Sequence, residues 1–240
     1  MEKITEILVG NLSLGLLDDR MAFLVELINE VIKPPRKATM ENVNIRATYL
    51  VNDLVNSHGG RFRRDDLSRL SELICDTPVL VGHKRSDVPL ARTFYAELEE
   101  RDGVTWLKSY FYWPKENVSH DDLLLRIDSG LLKECSISFT YTVPECSVCG
   151  EDMRQCPHDI DALHLDLSHP HFIYSGITQV LETSLVYKGS VKGTYITDKL
   201  SARARSFDKS DNIRIVTLPE NAQYALAEKD GRQALLVKPA

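Results

Sequence analysis

No stretch of this chain approaches the roughly 18 consecutive apolar residues that a membrane helix needs. The opening Met1-Glu2-Lys3-Ile4-Thr5-Glu6 lacks a basic segment followed by an apolar one, so no secretory signal is expected. A glycine-rich phosphate loop is missing, and nucleotide chemistry has no support. Internal repeats and low-complexity tracts are missing as well. Neither sign of charge dominates: 29 Lys and Arg against 35 Asp and Glu leave −6 over 240 residues. A net acidic chain suits general nucleic-acid binding poorly. A hydrophobic fraction of 43% excludes a disordered chain. The length fits one large domain, or one domain with an appendage.

Cysteine is scarce too, and its placement is informative. Of five cysteines, Cys75 and Cys135 stand alone, whereas Cys146, Cys149 and Cys156 crowd together. An odd number without a secretory signal points to a reducing compartment, where clustered thiols bind metal more often than they form disulfides.

What is present is mostly strand pattern. Residues 18–33 carry Met21, Leu24, Leu27, Ile28 and Val31 at helical spacing, with Asp18 and Asp19 at the start and Pro34-Pro35 as the stop. This helix reads equally as an arm, an oligomer contact or an element packed on its own domain. Beyond residue 42 strands dominate. Residues 44–50 alternate Ile45, Ala47 and Tyr49 against Arg46, Thr48 and Leu50, and 56–60 form a turn. Residues 65–74 form a short helix, and Pro78-Val79-Leu80-Val81 is a buried run ending at Gly82-His83. Asp102-Gly103 joins two long strands as a hairpin turn. Ser119 and Asp122 open a helix that ends near Gly130. Further strands fall at 134–143, 179–187, 212–217 and 225–237, the last turning at Asp230-Gly231. Many strands with few helices predict a mainly β (α+β) fold, a closed or partly open β-barrel with peripheral helices. The expected division is an N-terminal helical arm at 1–40, a barrel domain at 41–206 and a C-terminal β-hairpin extension at 207–240.

Three stretches carry candidates for chemistry. In Glu134-Cys135-Ser136-Ile137-Ser138-Phe139-Thr140-Tyr141 the odd positions form an apolar face and Ser136, Ser138 and Thr140 form a hydroxyl face. His83 ends a buried strand, where an imidazole can serve as general base. Glu182, in Val180-Leu181-Glu182-Thr183-Ser184-Leu185-Val186-Tyr187, shares a face with Val180, Ser184 and Val186, and a buried carboxylate there needs a partner. Taken singly, the serines and His83 read more readily as ordinary strand or loop surface, and Glu182 equally well as a rim carboxylate facing water.

In order, these stretches resemble the prohead (capsid maturation) proteases of tailed phages, serine peptidases related in fold to the herpesvirus assemblins. The histidine motif is Pro78-Val79-Leu80-Val81-Gly82-His83 followed by Val88-Pro89-Leu90-Ala91-Arg92-Thr93. The serine motif is Ile127-Asp128-Ser129-Gly130 leading into Leu131-Leu132-Lys133-Glu134-Cys135-Ser136. The acidic motif is Glu182-Thr183-Ser184-Leu185-Val186, and Val55-Asn56-Ser57-His58-Gly59-Gly60-Arg61-Phe62 looks like the entry segment. The resemblance covers residues 44–196. It implies a herpesvirus-protease-like barrel with Ser136 as nucleophile, His83 as base and Glu182 as the third member. Ser138, on the same face, is the second candidate nucleophile. His164, His169 and His171 compete with Glu182, because assemblins use a second histidine. It further implies scaffold and major capsid proteins as substrates, self-cleavage, and action inside the immature capsid in the host cytoplasm, with no nucleic acid or membrane partner. Homo-oligomerisation stays open. The rival reading is a catalytically inactive assembly protein that retains the fold.

Cys146-x-x-Cys149-Gly150 and Cys156-Pro157-His158 have the ligand types and number of a structural zinc site. The polar stretch Glu151-Asp152-Met153-Arg154 lacks a core of its own, so a metal would explain its order. The expected zinc loop is 144–160, with free thiols on an exposed loop as the alternative. Four protein ligands leave no position for a catalytic water.

Overall fold

The computed structural model describes residues 16–115, 118–161, 163–198, 200, 214–217, 224–229 and 232–237, with side chains outside the description at 16–20, 118–121 and beyond 200. The elements run α1 (Leu16–Val31), β1 (Val43–Asn52), β2 (Gly60–Arg61), α2 (Arg64–Leu73), β3 (Pro78–Val81), β4 (Ala91–Arg101), β5 (Val104–Pro114) and α3 (Val118–Asp128). They continue with β6 (Glu134–Thr140), β7 (Val143–Cys146), β8 (Phe172–Ser175), β9 (Gln179–Val186), β10 (Tyr195–Thr197), β11 (Arg214–Thr217), β12 (Tyr224–Lys229) and β13 (Arg232–Val237).

Contacts divide the chain into Met21–Leu200 and a second unit of Met1–Arg20 with Ser201–Ala240. In the second unit, β11, β12 and β13 form an antiparallel sheet of three strands where sequence pattern alone suggested a hairpin. The turn at Asp230-Gly231 lies outside the described residues, as does Ser119 as a capping side chain.

The main unit is built on a seven-stranded sheet in the order β10-β1-β5-β4-β3-β9-β6. All pairs are antiparallel except β3 with β9. Of the expected closed or partly open barrel, the closed form is not seen among the described residues. The edge strands β10 and β6 do not pair, and Ile196 N–H to Lys133 C=O at 2.9 Å, just ahead of β6, links that end of the sheet to β10. Gly189 marks a close approach at this edge. A Cβ there would meet Cys135 O at 2.6 Å and Thr194 Oγ1 at 2.8 Å, so the segment after β9 lies directly against β6.

Helices cover both faces of the sheet. Leu24, Val25 and Ile28 of α1 pack with Ile45, Ala47, Phe94 and Tyr110. From Met21 onward, therefore, α1 shares the core of the main unit. Leu67 and Leu70 of α2 pack with Leu50, Val51 and Leu107, while Leu123 and Ile127 of α3 pack with Phe111, Trp113 and Leu185. The strict alternation expected of β1 breaks after Tyr49, where a bulge shifts the pairing from Tyr49–Lys108 to Val51–Leu107. One extra residue flips the pleat, so the consecutive Leu50 and Val51 both enter the α2 core. The strand expected at 134–143 is broken between Thr140 and Val143, and β7 leaves the main sheet to join β2 and β8.

Candidate active site

The site grows out of three neighbouring strands. In β6 and β9, Ser136 pairs with Ser184 and Ser138 with Glu182. Paired residues point to the same face of a ladder, so these four polar side chains share one side. On the far side of β9, Leu80 of β3 pairs with Ser184, and Gly82 N–H reaches Leu185 C=O at 3.0 Å. The chain then turns through Gly82 and His83, with φ of 61° and 59°, and Lys84 N–H closes on Val81 C=O. Two consecutive positive φ values make this a type I′ turn, a conformation that glycine adopts freely and histidine rarely. It brings the imidazole back over the polar face.

There His83 Nδ1 donates to Glu182 Oε1 at 2.7 Å. The carboxylate side chain is 1% exposed and the imidazole 40%. Ser184 Oγ–H donates to Glu182 Oε2 at 2.6 Å, and its oxygen accepts His83 N–H at 3.0 Å. With the proton on Nδ1, Nε2 of a neutral imidazole remains an acceptor. His83, Ser136 and Ser138 line one cleft of about 240 Å³, together with Asn56, His58 and Ser190 and an apolar wall that includes Phe62, Phe139 and Tyr174. No hydrogen bond joins Ser136 Oγ to His83 among the described residues. Ser138 Oγ accepts Arg85 Nη2 at 2.7 Å.

The structure therefore joins His83 to Glu182 directly and brings Ser136 to the same cleft without bonding it to the imidazole. The competing histidines are engaged elsewhere. His164 pairs with Asp161 at 2.6 Å and His169 with Asp166 at 2.8 Å. His171 is buried, its Nδ1 facing His169 C=O at 2.9 Å and its Nε2 without a hydrogen-bond partner among the described residues. Cys135, beside Ser136, does not line the cleft. Its side chain packs into the α2 core, and burial pushes its thiol up to about 12. Arg85 and the entry-segment lining residues carried no chemical signal in one dimension. Ser184 did carry one, since positions i and i+2 of a strand share a face.

The entry segment supports the cleft. Asn56 Oδ1 accepts His58 N–H at 2.9 Å and Gly60 N–H at 3.1 Å, while Asn56 Nδ2 donates to Tyr174 Oη at 2.9 Å. A Cβ at Gly60 would lie 2.4 Å from the Tyr174 ring, so only glycine fits there.

The second cluster lies where β7 ends. Ligand atoms of Cys146, Cys149, Cys156 and His158 all fall within 4.8 Å of one another. Cys146 Sγ stands 3.7 Å from His158 Nδ1, close to the edge of about 3.6 Å that metal–sulfur and metal–nitrogen bond lengths give in a tetrahedron. Val148 N–H points at Cys146 Sγ at 3.4 Å, and Gly150 takes φ 77° to turn the chain after Cys149. Burial pushes the Cys146 thiol up, but the N–H groups of Cys149 and Val148 and the neighbouring thiols outweigh it and lower the net value. Three thiols and one imidazole in this arrangement fit a metal ion. Among the described residues no helix is long and apolar enough to cross a membrane.

Comparison with protein families, with curated proteins and with solved structures finds no match.

Proposed function

We propose that this chain is a serine endopeptidase of the prohead-protease kind, with a herpesvirus-protease-like fold. It trims scaffold and major capsid proteins, and itself, inside the immature capsid of a tailed phage in the host cytoplasm. The observation that carries the reading is the buried Glu182 carboxylate bonded to His83 on the wall of the cleft that holds Ser136. The order of the three sequence motifs supports the family and the substrates.

In this mechanism His83 Nε2 takes the proton of Ser136 as Oγ bonds to the peptide carbonyl carbon and the carbonyl oxygen becomes an oxyanion. His83 then returns the proton to the leaving amine, and water releases the acyl group by the same route. Glu182 holds the Nδ1–H tautomer and stabilises the imidazolium. Ser136 is preferred to Ser138 because the Ser138 oxygen already carries the Arg85 guanidinium. The Cys146, Cys149, Cys156 and His158 set holds zinc. With four protein ligands the ion is structural and staples the 144–160 loop.

Co-expression with the cognate capsid and scaffold proteins tests the reading. Wild type cuts them and Ser136→Ala does not; equal processing by both sinks the assignment. One observation favours a catalytically inactive assembly protein instead, namely that no hydrogen bond joins Ser136 to His83. Under that reading neither protein cuts.

A further inference from the structure

We infer that Ser184 is the positioning residue of this site, fixing Glu182 and the backbone of His83 with one hydroxyl; this rests on the peptidase reading above. The last rotatable bond of a glutamate joins sp³ to sp² carbon and is soft, so a carboxylate held at one oxygen swings. Glu182 is held at both. His83 Nδ1–H takes Oε1 and Ser184 O–H takes Oε2, at 2.7 and 2.6 Å. Without Ser184, Oε2 would be a charged oxygen inside a side chain that is 1% exposed and would lose its hydroxyl donor.

The same hydroxyl acts on the base. The β3–β9 ladder ends with Gly82 N–H on Leu185 C=O. The next N–H, that of His83, finds the Ser184 side-chain oxygen instead, at 3.0 Å. A side chain takes over where the ladder stops, at the residue whose φ of 59° is hard to hold. Ser184 is 0% exposed, so it touches no substrate and acts only through its two partners. Its O–H is committed to Glu182 and its oxygen to His83 N–H, which leaves it no role as nucleophile.

The test uses the full chain and a fluorophosphonate probe. At Ser136 the Oγ–P bond forms, fluoride leaves, and the serine proton passes to His83 Nε2. Ser184→Ala removes the hydroxyl, and Ser184→Cys keeps the volume with a much weaker donor should the alanine variant fold poorly. The expected result in both is a maximal labelling rate about 10²-fold lower with unchanged probe affinity. The His83 Nδ1–H signal in ¹H–¹⁵N spectra should also weaken and move. Wild-type labelling rate and an unchanged His83 signal would overturn the inference and reduce Ser184 to a packing residue. Failure of the peptidase reading looks different: wild type itself is not labelled at Ser136. The His83 signal then decides alone, its loss in the variants supporting the positioning role and its persistence refuting it.

Discussion

Glu182, with 1% of its side chain exposed, sits 2.7 Å from Nδ1 of His83, which is 40% exposed. A buried carboxylate is costly unless its oxygens are hydrogen-bonded, and His83 and Ser184 each hold one; in the proposed mechanism it also stabilises the imidazolium. Glu182→Gln should therefore keep the fold and cut the acylation rate by about 10²–10⁴-fold, because the amide can present its NH₂ to Nδ1 and invert the tautomer. Circular dichroism checks the fold and pre-steady-state kinetics the rate. Full activity would move the third role away from this carboxylate.

The metal site predicts composition and local order. Protein purified under reducing, chelator-free conditions should carry close to one zinc per chain, and Cys149→Ser should lose it. Chelation should lower stability by about 2–4 kcal/mol and expose the 144–160 loop to limited proteolysis. Elemental analysis, thermal unfolding and peptide mapping provide the checks.

Lys108 predicts a pH effect on stability. Its side chain is fully buried, and Nζ donates to Glu99 Oε2 at 3.2 Å while Tyr49 Oη donates to Oε1 at 2.7 Å. Burial pushes the Glu99 carboxyl up, but the Tyr49 and Lys108 bonds outweigh it and hold it below the ordinary carboxylate range. A depressed carboxyl contributes stability above its unfolded value, and that stability is lost as pH falls through the lower folded value. Lys108→Met should cost about 3 kcal/mol at neutral pH, with the gap to wild type narrowing as the solution becomes acidic. Denaturant unfolding at several pH values measures both.

Gly189 ties the cleft wall to β6. Gly189→Ala should destabilise by about 1–3 kcal/mol, because its methyl collides with Cys135 O and Thr194 Oγ1. Ser190 and Val191 line the cleft, so probe affinity should fall along with stability. A variant as stable as wild type would show that the segment shifts freely.

Much of this was legible in one dimension, and the gaps have physical causes. Singly, His83 and Glu182 read as ordinary loop and strand residues; only the order of the motifs around them singled them out. The clustering of Cys146, Cys149, Cys156 and His158 was legible because Cys-x-x-Cys spacing is local. Pairing across strands is not local. The meeting of Ser138 with Arg85 depends on a I′ turn that folds residue 85 back over β6, and nothing in Lys84-Arg85-Ser86 signals it. The bulge at Leu50 was hidden for a similar reason, since one inserted residue changes the face of every residue after it. Whether the barrel closes was hidden too, because it depends on whether the edge strands β10 and β6, far apart in sequence, pair.

The most direct test of the account is to label the wild-type chain with a fluorophosphonate and locate the adduct by mass spectrometry. The account predicts one adduct, on Ser136, absent in Ser136→Ala and formed at least about 10³-fold more slowly in His83→Ala. An adduct on Ser138, no adduct at all, or labelling that ignores His83 would contradict it.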